Sequence, residues 1–277
     1  MARIEIPGKL FLIGEYGVIE GGRAVVCAVR PGFVYATEET APVHPDSPAG
    51  VFLREGRGAR VPGMVSAGLG QGFGSSTAEL IAAFLEQHGR KPPVGELLDW
   101  YRGRFPGTSG ADLAVQTAAL SDGRAVYEVS KSAGVSPVGG FQRGLRKLRV
   151  YRVPSSIKQK THEDLAKARP PVDVAALDAR VGGFLKTIVD DRPEGFAVLT
   201  DFAEELSRTG RESAFSKEVR TAFRAVRGVT GVKGCGAALH DAYVVAHDGS
   251  REAMEGLSRV ASRFALHDLG ALGDLLW

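Results

Sequence analysis

Hydrophobic and polar positions alternate in short blocks along the chain, and the block lengths predict mixed strands and helices. Ile4–Ile6 and Leu10–Ile13 read as strands separated at Pro7-Gly8. Ala24–Val29 and Phe33–Thr37 read as two more, joined by a turn at Pro31-Gly32. Residues 41–50 are proline-rich and read as a loop. The apolar positions Leu80, Ile81, Phe84 and Leu85 recur at helical spacing, which predicts a helix over Ser75–His88. Val94–Arg102 and Ala111–Leu120 follow as helices, the latter capped by Thr108 or Ser109. Leu145–Val153 alternates as a strand. Beyond Pro154 the pattern predicts helices over 172–190, 195–208, 216–227 and 251–266, with a strand at Tyr243–Ala246. Strands and helices are mixed rather than strictly alternating, which argues for an α+β fold. The expected division is 1–154 and 155–277.

Composition narrows the function classes. The chain has 277 residues, 44% hydrophobic and 24% charged, enough for a large core in two lobes. A net charge of +3, with arginines scattered and no basic run, argues against a nucleic-acid partner. The apolar runs are too short to span a membrane. The N-terminus lacks a signal peptide's apolar core, so the cytoplasm is the expected location. Cys27 and Cys235 offer neither a disulfide framework nor metal spacing.

The candidate chemistry lies in four glycine-rich segments. In Gly68-Leu69-Gly70-Gln71-Gly72-Phe73-Gly74-Ser75-Ser76-Thr77-Ala78-Glu79, a flexible loop runs into a helix start. Free N–H groups and the positive dipole end at that start favour a phosphate. Ser76-x-x-Glu79 also fits a capping box, the bland alternative. The others are Pro7-Gly8-Lys9 through Gly14-Glu15-Tyr16, Gly107-Thr108-Ser109-Gly110-Ala111-Asp112, and Gly231-Val232-Lys233-Gly234-Cys235-Gly236-Ala237-Ala238.

In chain order, from about Pro7 to Val245, these segments resemble the GHMP small-molecule kinases. The resemblance implies a two-lobed GHMP kinase fold. Its N-terminal lobe holds a β-α-β unit, its C-terminal lobe is ferredoxin-like, and the active site lies between them. It implies ATP and Mg²⁺ as cofactors. Gly70, Gly72, Gly74, Ser75 and Ser76 would hold the nucleotide, and Ser76 would be a metal ligand. Asp112 would be the base, otherwise an ordinary first-turn aspartate. Lys9 would stabilise charge on the transferring phosphoryl group. Glu15, Tyr16, Ser109, Gly110, Lys158, Gly234 and Gly236 would face the substrate.

Gly14-Glu15-Tyr16 resembles the form found in phosphomevalonate kinases. The magnesium-binding glutamate of mevalonate kinases, eleven residues before the aspartate, corresponds here to Tyr101. Both points favour phosphomevalonate as acceptor, with mevalonate the alternative. Glu79 could replace the missing ligand. A phosphorylated acceptor would need cations, and Arg102, Arg104, Lys158, Lys160 and Lys233 are available. The chain departs from the family in its length, in Phe73 where leucine is usual, and in a third motif short of glycines. A divergent mevalonate kinase or another GHMP kinase therefore stays open. The short third motif also leaves open a nucleotide-binding homologue without activity, while a related decarboxylase is disfavoured because the Pro7-Gly8-Lys9 to Glu15 start fits the kinases better. Oligomeric state, a homodimer included, is open.

Overall fold

The computed structural model describes residues 3–277, apart from Gln71, Ala133, Gly140, Phe141, Asp191 and residues 155–168. By contacts the chain divides into two compact units. The first comprises Met1–Leu10, Val26–Val138 and Leu276–Trp277; the second comprises Phe11–Val25 and Gly139–Leu275. The partition falls inside β1 (Arg3–Ile13) and β2 (Arg23–Thr40).

Both strands are longer than the sequence pattern suggests. Pro7-Gly8 does not break β1, and Pro31-Gly32 does not turn β2. The glycines serve close approach. A Cβ on Gly32 would lie 2.5 Å from the Ile6 carbonyl oxygen, and one on Gly8 would lie 3.2 Å from Val29. The first sheet runs β1-β2-β4-β5, with β3 (Pro62–Ser66) added on β2. Here β4 is Val126–Ser130 and β5 is Gly134–Pro137, paired antiparallel. Leu276 bridges to Val29, and the Trp277 N–H donates to the Ala28 carbonyl.

In the first unit, α2 (Pro48–Arg54), α3 (Ser75–His88), α4 (Val94–Arg104) and α5 (Ala111–Asp122) accompany this sheet. The expected loop 41–50 therefore ends early. Ser47 caps α2 by accepting from the Gly50 N–H, and Pro48 occupies the first helical position. Phe52 packs edge-on against Trp100 at 5.2 Å, joining α2 to α4.

The second unit carries an antiparallel sheet of order β7-β8-β6-β9. Its strands are β6 (Leu148–Arg152), β7 (Val229–Cys235), β8 (Ala242–His247) and β9 (His267–Ala271). Helices separate β6 from β7 and β8 from β9, the ferredoxin-like arrangement the resemblance implies. Tyr151, Val232, Tyr243 and Val245 from this sheet pack against Val219 and Phe223 of helix Ala214–Arg224 and Leu257 of helix Arg251–Arg263.

Candidate functional site

In the first unit, the segment around Pro7-Gly8-Lys9 of β1 is laid against the end of the glycine loop. The Lys9 N–H donates to the Phe73 carbonyl at 2.8 Å. The lysine stem then passes over Gly74. A Cβ there would sit 2.9 Å from Lys9 Cγ and 3.0 Å from Gln116 Nε2, and φ is +90°. Only glycine fits that approach without strain. The Lys9 side chain is buried, and its Nζ lies 3.1 Å from Asp112 Oδ2, whose side chain keeps one third of its surface exposed. A buried cation and a half-open carboxylate thus meet where α5 begins.

Gly74 also caps α3, in the left-handed conformation and without a side-chain cap bond. The capping-box expectation is corrected here: Ser76 is the second helical residue, not the cap. Ser75 is half-buried and Ser76 is exposed. The first-turn N–H groups of α3 therefore keep their anion-binding capacity. Gly68, Gly70 and Gly72 all have positive φ, the left-handed backbone that glycine adopts most readily.

The start of α5 is likewise capped by a glycine, Gly110, rather than by Thr108 or Ser109. Ser109 Oγ accepts from the Ala111 N–H at 3.2 Å, and Thr108 Oγ1 donates to the Phe105 carbonyl. Arg102 Nη2 and Nε donate to the Ser109 carbonyl at 2.9 and 3.1 Å, so this arginine braces the turn before Asp112. Arg104 is paired with Glu55. Tyr101 belongs to the same neighbourhood. Burial, with the nearby Asp112 carboxylate adding to it, pushes its phenol up to about 12, against a smaller opposing effect from Thr108. A neutral phenol therefore stands beside the aspartate.

Sequence reasoning missed Gln116 and Thr77. Gln116 is fully buried one turn after Asp112. Its amide donates to the Pro7 carbonyl at 2.8 Å and to the Gly74 carbonyl at 3.1 Å, while its oxygen accepts from Thr77 Oγ1 at 2.5 Å. The available signal was a lone amide in the apolar run Leu113–Ala119.

A second cluster of motif residues lies within the second unit. Lys233 of β7 is completely buried and paired with Glu15, the first residue of α1 (Glu15–Ile19). Its Nζ also donates to the Gly234 carbonyl at 2.7 Å and lies 3.6 Å from Cys235 Sγ. Glu15 Oε2 is buried without a hydrogen-bond partner among the described residues. Tyr16 Oη accepts from the Ala238 N–H at 2.9 Å. The glycines Gly234 and Gly236 are demanded by packing: their Cβ atoms would lie 2.0 Å from the Leu239 carbonyl oxygen and 1.9 Å from Asp241 Oδ2. Ala238 and Leu239 hold positive φ where more glycines were expected. Lys233 is therefore an internal cation, not an available surface charge. Lys158 and Lys160 lie outside the described residues.

No protein-family model matches the chain, and no curated protein matches it. Solved structures do. The Methanococcus jannaschii mevalonate kinase aligns at 16% identity with TM-score 0.63, over 97% of this chain and 96% of that one. The Streptococcus pneumoniae phosphomevalonate kinase, in complex with phosphomevalonate and AMPPNP, aligns at 12% identity with TM-score 0.69, over 97% and 98%. The Lactococcus lactis galactokinase complexed with galactose aligns at 12% identity with TM-score 0.65, over 97% and 93%.

The chain has the GHMP kinase fold. Within that fold, the described residues hold no group of three or more His, Cys, Asp or Glu able to enclose a metal ion. Magnesium needs few protein ligands when phosphates and waters supply the rest, so an exposed Ser76 hydroxyl fits that mode. Glu79 lies one turn further along α3 and is half-buried; burial raises its pKa, and it acts electrostatically on the buried Tyr35 phenol.

Proposed function

We propose that this chain transfers the terminal phosphoryl group of ATP to a small-molecule acceptor, with phosphomevalonate the first choice. The observation that carries the reading is the Lys9–Asp112 pair held against the end of the glycine loop within one unit. Phosphoryl transfer asks a protein mainly to position reactants and stabilise charge. The first-turn N–H groups of α3 would receive the nucleotide phosphates. Lys9 Nζ would stabilise charge developing on the transferring group. Asp112 Oδ2 would orient the acceptor and take its proton. Magnesium, carried by the phosphates with the Ser76 hydroxyl as protein ligand, would neutralise phosphate charge.

The acceptor's own chemistry sets how much base is needed. A phosphate monoester has its second pKa near 6 and is already largely ionised at neutral pH. An alcohol is not. The neutral Tyr101 phenol beside Asp112 supports the phosphorylated acceptor, because it leaves that position without a second carboxylate. A nucleotide-binding protein without turnover is the second reading. It is favoured by the third motif, whose residues are taken up by internal packing.

The test is ADP release with ATP and Mg²⁺ against phosphomevalonate, mevalonate, galactose and homoserine. Turnover on phosphomevalonate is expected. Asp112→Asn should lower kcat by on the order of 10²-fold or more on an alcohol acceptor and less on a phosphate monoester, with nucleotide affinity kept. Normal turnover in that variant removes the base assignment. ATP binding without ADP release from any acceptor supports the second reading.

A further inference from the structure

We infer that Gln116 is a positioning residue that keeps Lys9, Gly74 and Asp112 in one register, an inference that rests on the kinase reading. The amide is fully buried and every group it offers has a partner. Its orientation is determined. Two carbonyl oxygens, on Pro7 and Gly74, can only accept, so the NH₂ must face them and the oxygen must face the Thr77 hydroxyl.

Those partners are far apart in sequence. Pro7 leads into Lys9, Gly74 ends the loop and caps α3, and Gln116 shares α5 with Asp112. Four residues along a helix put Gln116 and Asp112 on the same face, one turn apart. One side chain therefore spans the three segments whose polar groups converge. Packing alone would be met by an apolar residue of the same volume, at no risk of burying unpaired polar atoms. Gly74 keeps a donor without Gln116, because its carbonyl also accepts from the Ala78 N–H at 3.0 Å, and the Thr77 hydroxyl, 3.1 Å away and no longer donating to the amide, can turn to it. Removing the amide mainly releases the Pro7 carbonyl, and with it the path of β1 that delivers Lys9.

Displacing a catalytic group by about 1 Å costs roughly 10²-fold in rate. Gln116→Met, similar in volume and unable to donate, should therefore lower kcat by about 10- to 100-fold. The dissociation constant of a fluorescent ATP analogue should change by less than about three-fold, because the N–H groups of α3 remain. A role confined to stability predicts a lower melting temperature with kcat per active site unchanged, which would overturn the assignment. In a Lys9→Met background the second substitution should add little, since the group being positioned is gone; additive losses would also overturn it.

Crystal structures of the variant and the unaltered protein give a readout independent of turnover. The Lys9 Nζ–Asp112 Oδ2 distance should open beyond 4 Å from its present 3.1 Å; an unchanged distance overturns the assignment. If the unaltered protein releases no ADP with any acceptor, the kinase reading fails while these structures still judge the register. Should Gln116→Met not fold, Thr77→Val carries the test, because it removes only the hydroxyl facing the amide oxygen. The amide keeps its orientation, but its oxygen loses its donor, so a lengthening of the 2.8 Å Gln116–Pro7 hydrogen bond with a smaller loss of kcat is expected; an unchanged distance with unchanged kcat overturns the inference.

Discussion

The Glu15–Lys233 pair is a costly arrangement of side chains within the second unit. Lys233 has no exposed surface, and one Glu15 oxygen has no hydrogen-bond partner among the described residues. Desolvating two charges is offset by their mutual attraction and by the Gly234 carbonyl, with Cys235 Sγ and the Phe202 ring close by. Breaking such a pair from one side leaves a buried charge alone and typically costs about 3–5 kcal/mol. Lys233→Met should therefore lower unfolding free energy by about that amount in urea titrations. Adding Glu15→Gln should recover much of the loss. A cost under about 1 kcal/mol for the single variant would mean that the ammonium reaches water.

At the scale of elements, the turn after β7 shows what a side chain can and cannot do. Gly236 has φ of +82° and no room for a Cβ, which would meet Asp241. Gly89, which ends α3, has φ of +61° and open space around it. Gly89→Ala should cost only the left-handed backbone penalty, about 1–2 kcal/mol. Gly236→Ala should cost clearly more in the same melting experiment, and equal costs would mean that Asp241 yields freely.

The contrast also explains what was legible in the sequence. Both ends of α3 and the start of α5 were readable because apolar periodicity begins where the glycines stop, while α5 runs two residues past the expected Leu120, to Asp122. Their caps were not, because Ser and Thr fit the usual cap preference while Gly74 and Gly110 occupy the left-handed cap positions. Pro7-Gly8 and Pro31-Gly32 read as turns, yet they lie inside long strands whose glycines let backbones approach. Lys9 and Asp112 were legible as candidates because their motifs are short and local. Gln116 was not, since a buried amide gains meaning only from partners more than thirty residues away. Lys233 looked like a free cation because its partner Glu15 lies in a distant segment.

For the molecule as a whole, acid stability is set in part by histidines that fold away from water. Burial lowers the His240 pKa, with its ring stacked on Phe215 and its Nδ1 2.8 Å from Ser213 Oγ. His247 on β8 is lowered as well, chiefly by burial and then by Arg149. An unfolded histidine takes up its proton near pH 6.5, while these two resist it. The unfolded state therefore binds more protons below that pH, and stability falls as pH drops from about 6.5 toward the folded values. Melting temperature should decline between about pH 7.5 and 5.5, and less steeply in His240→Asn; the slope rather than the midpoint is the readout. An identical slope would remove His240 as a source.

Leu276 pairs with Val29, and Trp277 reaches the Ala28 carbonyl, so these two residues belong to the unit that holds Lys9 and Asp112. A ribosome thus makes the whole second unit, through Leu275, before it makes this strand-pairing segment of the first. Closing so long a loop is entropically slow, and contacts of such sequence separation form late. The Lys9–Asp112 neighbourhood shares its unit with that closing segment, so a growing chain carries the residues of the site well before the unit around them is complete.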